Sequence, residues 1–180
     1  MADARRAGAV VWLTGLPCAG KTTLCEAVAA QLVARGERPV LLDGDALRRG
    51  ISADLGFSPA DRATQAARVA FVARCVAQAG GVALVGLVSP YDADRKAARA
   101  AVARFLLVHV ATPLSRCEAR DVKGHYGRAR AGEIAGFTGV SAPYEAPDDA
   151  EVTLRTEASP EQDAAAIVAA LAQRGWLGPA

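Results

Sequence analysis

The chain has 180 residues, with 21 Lys and Arg against 19 Asp and Glu, a net charge of +2, and 52% hydrophobic residues. That length supports one domain with its own core, and the hydrophobicity excludes intrinsic disorder. So small a charge excess argues against a dedicated nucleic-acid binder.

The first residues, Met1 to Gly8, carry Arg5 and Arg6 with no long apolar stretch behind them. The run Ala9 to Leu13 is stopped by Thr14-Gly15, too short for a signal-peptide core or a membrane span. These readings predict a cytoplasmic protein with no membrane partner. Cys18, Cys25, Cys75 and Cys117 form no CxxC pair or zinc spacing, and read as small hydrophobes in a reducing compartment. Cys18 stands apart: it lies in a glycine loop before a helix, where a thiol pKa can be lowered.

Short β-branched runs alternate with Ala-, Arg- and Glu-rich segments, the signature of an α/β fold with a parallel sheet flanked by helices. The expected strands are Val10–Thr14, Pro39–Asp43, Val82–Val88, Phe105–Val110 and Val152–Thr156. The expected helices are Lys21–Arg35, Ala60–Ala79, Ala93–Arg104, Leu114–Arg120 and Pro160–Arg174. Ser58-Pro59 and Ser159-Pro160 are start signals for two of them. Residues Asp121 to Asp149 break the alternation with Gly, Pro and basic residues and two embedded aromatic groups, which predicts a mobile lid over about 121–147.

Gly15-Leu16-Pro17-Cys18-Ala19-Gly20-Lys21-Thr22 fits GxxxxGK[ST] between an expected strand and an expected helix. The two glycines let successive backbone N–H groups converge on phosphate oxygens, and the helix N-terminus adds to that field. Lys21 supplies a cation for the β- and γ-phosphates, and the Thr22 hydroxyl can ligate Mg²⁺. This predicts a nucleoside-triphosphate site. The strand Val82–Val88 ends in Ser89-Pro90 with no acid, whereas Asp43-Gly44-Asp45 follows the second strand. Ligands of open α/β sheets bind outside the carboxyl ends of strands. Asp43, Asp45 and Ser89 are thus expected beside the phosphate loop, unless Asp43-Gly44-Asp45 is only a solvated turn. A carboxylate there can hold a metal-bound water or accept a proton from an attacking hydroxyl. Arg48, Arg62 and Arg68 suit an anionic acceptor, though each taken singly reads as a surface charge. Phe57 is open between core packing and stacking on a base. From the residues alone, the reading is a small-molecule kinase whose basic lid, Lys123 to Arg130, closes to exclude water.

Five blocks in order then resemble the adenylylsulfate kinase family in its stand-alone form. They are Gly15–Thr23; Leu42-Asp43-Gly44-Asp45 with Arg48 and Gly50; Asp54-Leu55-Gly56-Phe57-Ser58 with Asp61-Arg62; Ser89-Pro90-Tyr91 with Asp94-Arg95; and Arg120 to Pro147, containing Phe137-Thr138-Gly139 and Ala142-Pro143-Tyr144-Glu145-Ala146-Pro147. The resemblance implies a P-loop nucleotide-kinase-like fold and transfer from MgATP to the 3′-hydroxyl of adenosine 5′-phosphosulfate (APS). The product would be 3′-phosphoadenylylsulfate (PAPS). It implies that Gly15, Leu16, Pro17, Cys18, Ala19, Gly20, Lys21, Thr22 and Thr23 bind ATP, with Arg120 and Pro147 near its base. Thr22 would ligate Mg²⁺ and Asp45 would order it through a water and activate the 3′-hydroxyl. Asp43, Arg48, Phe57, Arg62, Gln65, Val88, Ser89, Lys123 and Phe137 would form the acceptor pocket, with Phe57 and Phe137 bracketing the adenine. Ser89 matches a serine described in the family as a phosphoserine intermediate, a step that in-line transfer does not need. A homodimer is implied as well.

Four departures accompany the resemblance. Gln65 stands where the family usually has Asn, Ala46 follows Asp45 in place of Asn, Gly86-Leu87 replaces a Ser or Ala followed by Phe, and Gly127-Arg128 replaces a Lys pair. Gln65 and Gly86-Leu87 motivate an alternative, a paralogue acting on another nucleotide-linked anion such as a cytidine diphosphoramidate. A non-catalytic nucleotide-binding regulator is the third reading.

Overall fold

The structure, a computed structural model, describes residues 7–178; Arg5 and Arg6 lie outside them. Five strands form one parallel sheet: β1 (Ala9–Thr14), β2 (Pro39–Asp43), β3 (Val82–Gly86), β4 (Phe105–Val110) and β5 (Val152–Leu154), in the order β2-β3-β1-β4-β5. Among the described residues, seven helices connect and cover it: α1 (Lys21–Ala34), α2 (Gly44–Arg49), α3 (Pro59–Gln78), α4 (Asp92–Ala100), α5 (Leu114–Ala119), α6 (His125–Arg130) and α7 (Pro160–Gln173).

Period-two alternation along β1 divides the core in two. Val11 and Leu13 pack with Leu24, Val28 and Leu32 of α1 and Ile167 and Leu171 of α7. Val10 and Trp12 pack on the other face with Val69 and Ala73 of α3 and Leu107 of β4. Both faces being covered, the strands read as unbroken apolar runs. Alanines at 66, 70, 73 and 77 form the buried stripe of α3, so small side chains bring this helix close to the sheet. Its start is a complete capping box: Ser58 Oγ accepts from Asp61 N at 3.1 Å, and Ser58 N donates to Asp61 Oδ2 at 3.3 Å. Ser159 and Gln162 make the same box at α7.

The chain visits β2 and β3 on one side of β1, then β4 and β5 on the other. The loop after β1 therefore sits where the strand order reverses, the place where open sheets bind ligands. Register sets Asp43 and Leu13 level with Gly86 on either side, so three loops leave the sheet together.

The observed elements differ from expectation at several ends. β3 stops at Gly86 rather than Val88, because the chain turns there into a left-handed Ser89 (φ +37°). β5 stops at Leu154, ahead of a left-handed Thr156 (φ +52°). α4 ends at Ala100 instead of Arg104. α2 and α6 are helices that the sequence reading does not assign, and α6 lies within the expected lid.

Candidate active site

The loop after β1 curls on two glycines with different duties. A Cβ on Gly15 would meet Val110 O at 2.6 Å, so close approach to β4 requires glycine there. Gly20 has φ +100°, a conformation L side chains avoid. Lys21, 9% exposed, donates from Nζ to Gly15 O (2.9 Å) and Leu16 O (2.8 Å). Burial lowers its pKa to about 8.

Thr22 Oγ1 donates to Asp43 Oδ2 at 2.9 Å, and Asp43 Oδ1 accepts from Ala46 N at 2.9 Å. Asp43 is thus the N-cap of α2, with its second oxygen on the phosphate loop. Asp45, in the first turn of α2, is 65% exposed in its side chain and pairs with Lys123 Nζ at 2.9 Å. That hydrogen bond holds the Asp45 carboxyl below the usual carboxylate range. Gln65, 2% exposed, donates from Nε2 to Gly44 O at 3.3 Å, tying α3 to the same turn.

Gly44 has little room, since a Cβ would meet Leu87 Cδ1 at 2.9 Å and Gly86 O at 3.1 Å. A Cβ on Gly86 would make ordinary contacts, at 3.5 Å to Cys25 Sγ and 3.9 Å to Lys21 Cβ. Gly44→Ala should therefore cost about 1–3 kcal/mol and misplace Asp45, whereas Gly86→Ala, free of such a clash, should be neutral or stabilise by up to about 1 kcal/mol. Denaturant midpoints of the two variants check this, and equal losses would refute it.

On the far side of α2, Arg48 stacks its guanidinium over the Phe57 ring at 4.3 Å, and that of Arg62 lies 5.7 Å from the same ring. Backbone carbonyls aim both: Arg48 Nη1 donates to Gly56 O (2.7 Å), and Arg62 donates to Phe57 O and Gly136 O (3.0 Å each). Phe57 is 61% exposed, which decides against core packing. Across from it, Phe137 packs edge-on against Tyr126 at 5.0 Å.

A single cavity of about 810 Å³ joins these groups. It is lined by Pro17, Cys18, Gly20, Lys21, Thr22 and Thr23, by Asp43, Asp45, Arg48, Phe57, Arg62 and Gln65, and by Val88, Ser89, Arg120, Lys123 and Phe137. Gly15, Leu16 and Ala19 belong to the same loop but do not line the cavity. Pro147 does not line the cavity, whereas Thr156, Ala158, Pro160 and Asp163 do. Arg68 is turned away, paired with Asp54 at 2.8 Å.

Ser89 lines the wall, but its hydroxyl is committed. Oγ accepts from Trp12 Nε1 at 3.0 Å and donates to Leu87 O at 3.4 Å. Arg95 Nη1, itself 2% exposed, bonds Ser89 O at 2.9 Å and pins the left-handed backbone.

The segment after α5 folds back on the phosphate loop. Asp121 accepts from His125 N (2.9 Å) and Tyr126 N (2.6 Å), and buried Tyr126 donates from its hydroxyl to Pro17 O at 3.0 Å. Its basic charge is largely spent at home. Arg128 pairs with Glu133 and Arg130 with Glu118, so Lys123 alone of the basic side chains from 123 to 130 meets Asp45. Cys18 overturns the expectation of an acidified thiol: burial and the neighbouring Asp121 carboxylate push its pKa up.

Comparison with known proteins agrees with this arrangement. The family profile for adenylylsulphate kinase matches residues 7–155. The chain belongs to the adenylylsulphate kinase family. It is 50% identical to the adenylyl-sulfate kinase of Paraburkholderia xenovorans over 85% of this chain and 86% of that one. The APS kinase of Mycobacterium tuberculosis, solved with AMPPNP and APS, superposes with a TM-score of 0.90 at 40% identity, covering 92% and 98% of the two chains. A hexameric APS kinase from Thiobacillus denitrificans gives 0.73 at 29% identity, over 98% of this chain and 31% of its own.

Proposed function

We infer that this chain is an ATP-dependent adenylyl-sulfate kinase, which transfers the γ-phosphoryl group of ATP to the 3′-hydroxyl of APS. The observation that carries this reading is the meeting, in one cavity, of a complete phosphate loop and the Arg48–Phe57–Arg62 stack. A nucleotide acceptor with an anionic tail needs both a ring face for its base and guanidinium groups for its oxygens. Phe57 and Phe137 offer the faces, and Arg48 and Arg62 the charge.

In the reaction the 3′-oxygen bonds the γ-phosphorus as the bond to the bridging β–γ oxygen breaks, and ADP leaves. The hydroxyl proton passes to Asp45. Lys21 exchanges its two loop carbonyls for phosphate oxygens and offsets the charge that gathers on the leaving group. Mg²⁺ suits the donor set, because the Thr22 hydroxyl and the Asp45 carboxylate are hard oxygen ligands beside the loop. Thr22 directly and Asp45 through a water would hold it, and when bound it neutralises charge on the β- and γ-phosphates. Direct transfer accords with a Ser89 hydroxyl whose partners are Trp12 and Leu87.

The same reading takes residues 1–180 as one catalytic domain acting in the cytoplasm as a homodimer; sedimentation velocity reports the association state. Among the described residues no helix is long and apolar enough to cross a membrane. The deciding experiment is ADP release from MgATP with APS as acceptor and adenosine 5′-monophosphate as control, with the product identified by mass. APS-dependent release of ADP with a 3′-phosphorylated product is expected. ATP binding without such turnover would sink the reading.

A further inference from the structure

Asp163 is 9% exposed in the first turn of α7, yet its carboxylate has no hydrogen bond or ion pair among the described residues. Burial pushes its pKa up, with no neighbouring charge to offset it. The capping of α7 is done by Ser159 and Gln162, so helix initiation does not need Asp163. Its oxygens are not among the sealed side-chain atoms that lack a partner, so they face open space where a ligand can meet them. Asp163 lines the large cavity.

Topology fixes which part of the cavity that is. The acceptor groups Arg48, Phe57 and Arg62 follow β2, at one edge of the sheet, while Asp163 follows β5, at the other edge. The phosphate loop leaves the central strand between them. Thr112 Oγ1 donates to Ala19 O at 2.7 Å and shares a hydrogen bond with Thr156 Oγ1 at 2.8 Å, which ties the β5–α7 connection to the phosphate loop. Gln31 Nε2 donates to Glu161 O at 2.8 Å and fixes the first turn of α7 against α1. Ala158 and Pro160 give this end a short apolar wall, and Arg120 borders it at Gly20.

A nucleoside triphosphate with its phosphates in the loop and its far side turned from the acceptor places its base here. On an adenine ring the 6-amino group is the only N–H donor that can satisfy a carboxylate. We propose that Asp163 reads the donor base, accepting a hydrogen bond from the 6-amino group of ATP. The proposal rests on the reading of ATP as phosphoryl donor. A hydrogen bond to a charged group, made by ATP and missing from a 6-unsubstituted purine, separates the two by roughly tenfold to a hundredfold.

Equilibrium binding of ATP and of purine riboside triphosphate, which has hydrogen at position 6, tests it in the wild type and in Asp163→Ala. The wild type should prefer ATP by that factor, and the variant should bind the two within about twofold. Because each preference is a ratio within one protein, a general loss of stability cancels. Should Asp163→Ala not fold, Asp163→Asn keeps the shape but loses the charge, and its preference should fall severalfold. Equal binding by the wild type, or a preference that survives the substitutions, would overturn the assignment. APS-dependent turnover on the same wild-type sample separates the two readings. Turnover without a base preference removes the role of Asp163 alone, and a base preference without turnover removes the kinase reading alone.

Discussion

Asp45→Asn should lower kcat with APS by about 10²- to 10⁴-fold while leaving ATP affinity within a few fold. Asparagine keeps the shape and can still accept from Lys123, so the change removes only the charge and the basic oxygen. The carboxylate is well placed for both roles, lying on the turn that leads from β2 past Thr22 and Asp43 into the cavity. Its lowered pKa makes it a weak base. A loose phosphoryl-transfer transition state asks little of a base, since the hydroxyl proton becomes acidic only late. An unchanged kcat would remove Asp45 from catalysis. Lys123→Ala adds a signed test. With activity requiring ionised Asp45, the acid limb of kcat lies below the usual carboxylate range, and loss of Lys123 should move it upward. A limb that stays in place would mean that the Lys123–Asp45 pair opens when substrates bind.

Much of this site is legible in sequence because its parts are local. The phosphate loop is eight contiguous residues, and Ser58 with Asp61 announces α3 within four. What escapes notice depends on partners distant in the chain. Asp43-Gly44-Asp45 reads as carboxylates beside the phosphate loop, but that it starts a six-residue helix depends on Asp43 as cap and on Gln65, 21 residues from Gly44, holding Gly44 O. The helix α6 needs Asp121 on two of its amides and Tyr126 docked on Pro17. Pro147 was expected at the ATP base, an assignment resting on family resemblance rather than on spacing. Pro147 is not in the cavity lining, and four residues that are follow β5, where Ser159-Pro160 signals a helix and says nothing of a pocket. The Cys18 thiol failed for the same kind of reason: the helix N-terminus is visible in sequence, and the opposing Asp121 carboxylate is not.

Alkaline pH should strengthen folding and weaken ATP binding through one residue, Lys21. Its pKa is about 8 in the folded protein, against 10.5 for the ordinary side chain. Below pH 8 the protein carries a buried ammonium, held by Gly15 O and Leu16 O but poorly solvated. From about pH 8 to 10.5 the unfolded chain binds more protons than the folded one, so this group's contribution to stability rises with pH. The triphosphate reverses the preference, because anionic oxygens against Nζ favour the charged form. Above pH 8, ATP must bring a proton to Lys21 as it binds, and its affinity should fall by up to about tenfold per pH unit. Calorimetry in buffers of different ionisation enthalpy should find about 0.9 proton taken up at pH 9 and almost none at pH 7. Lys21→Met should abolish the uptake and weaken ATP binding by about a hundredfold. Uptake that persisted in Lys21→Met would assign the proton to another group and leave Lys21 charged throughout. That outcome would mean that the two loop carbonyls solvate the ammonium well enough to offset its burial.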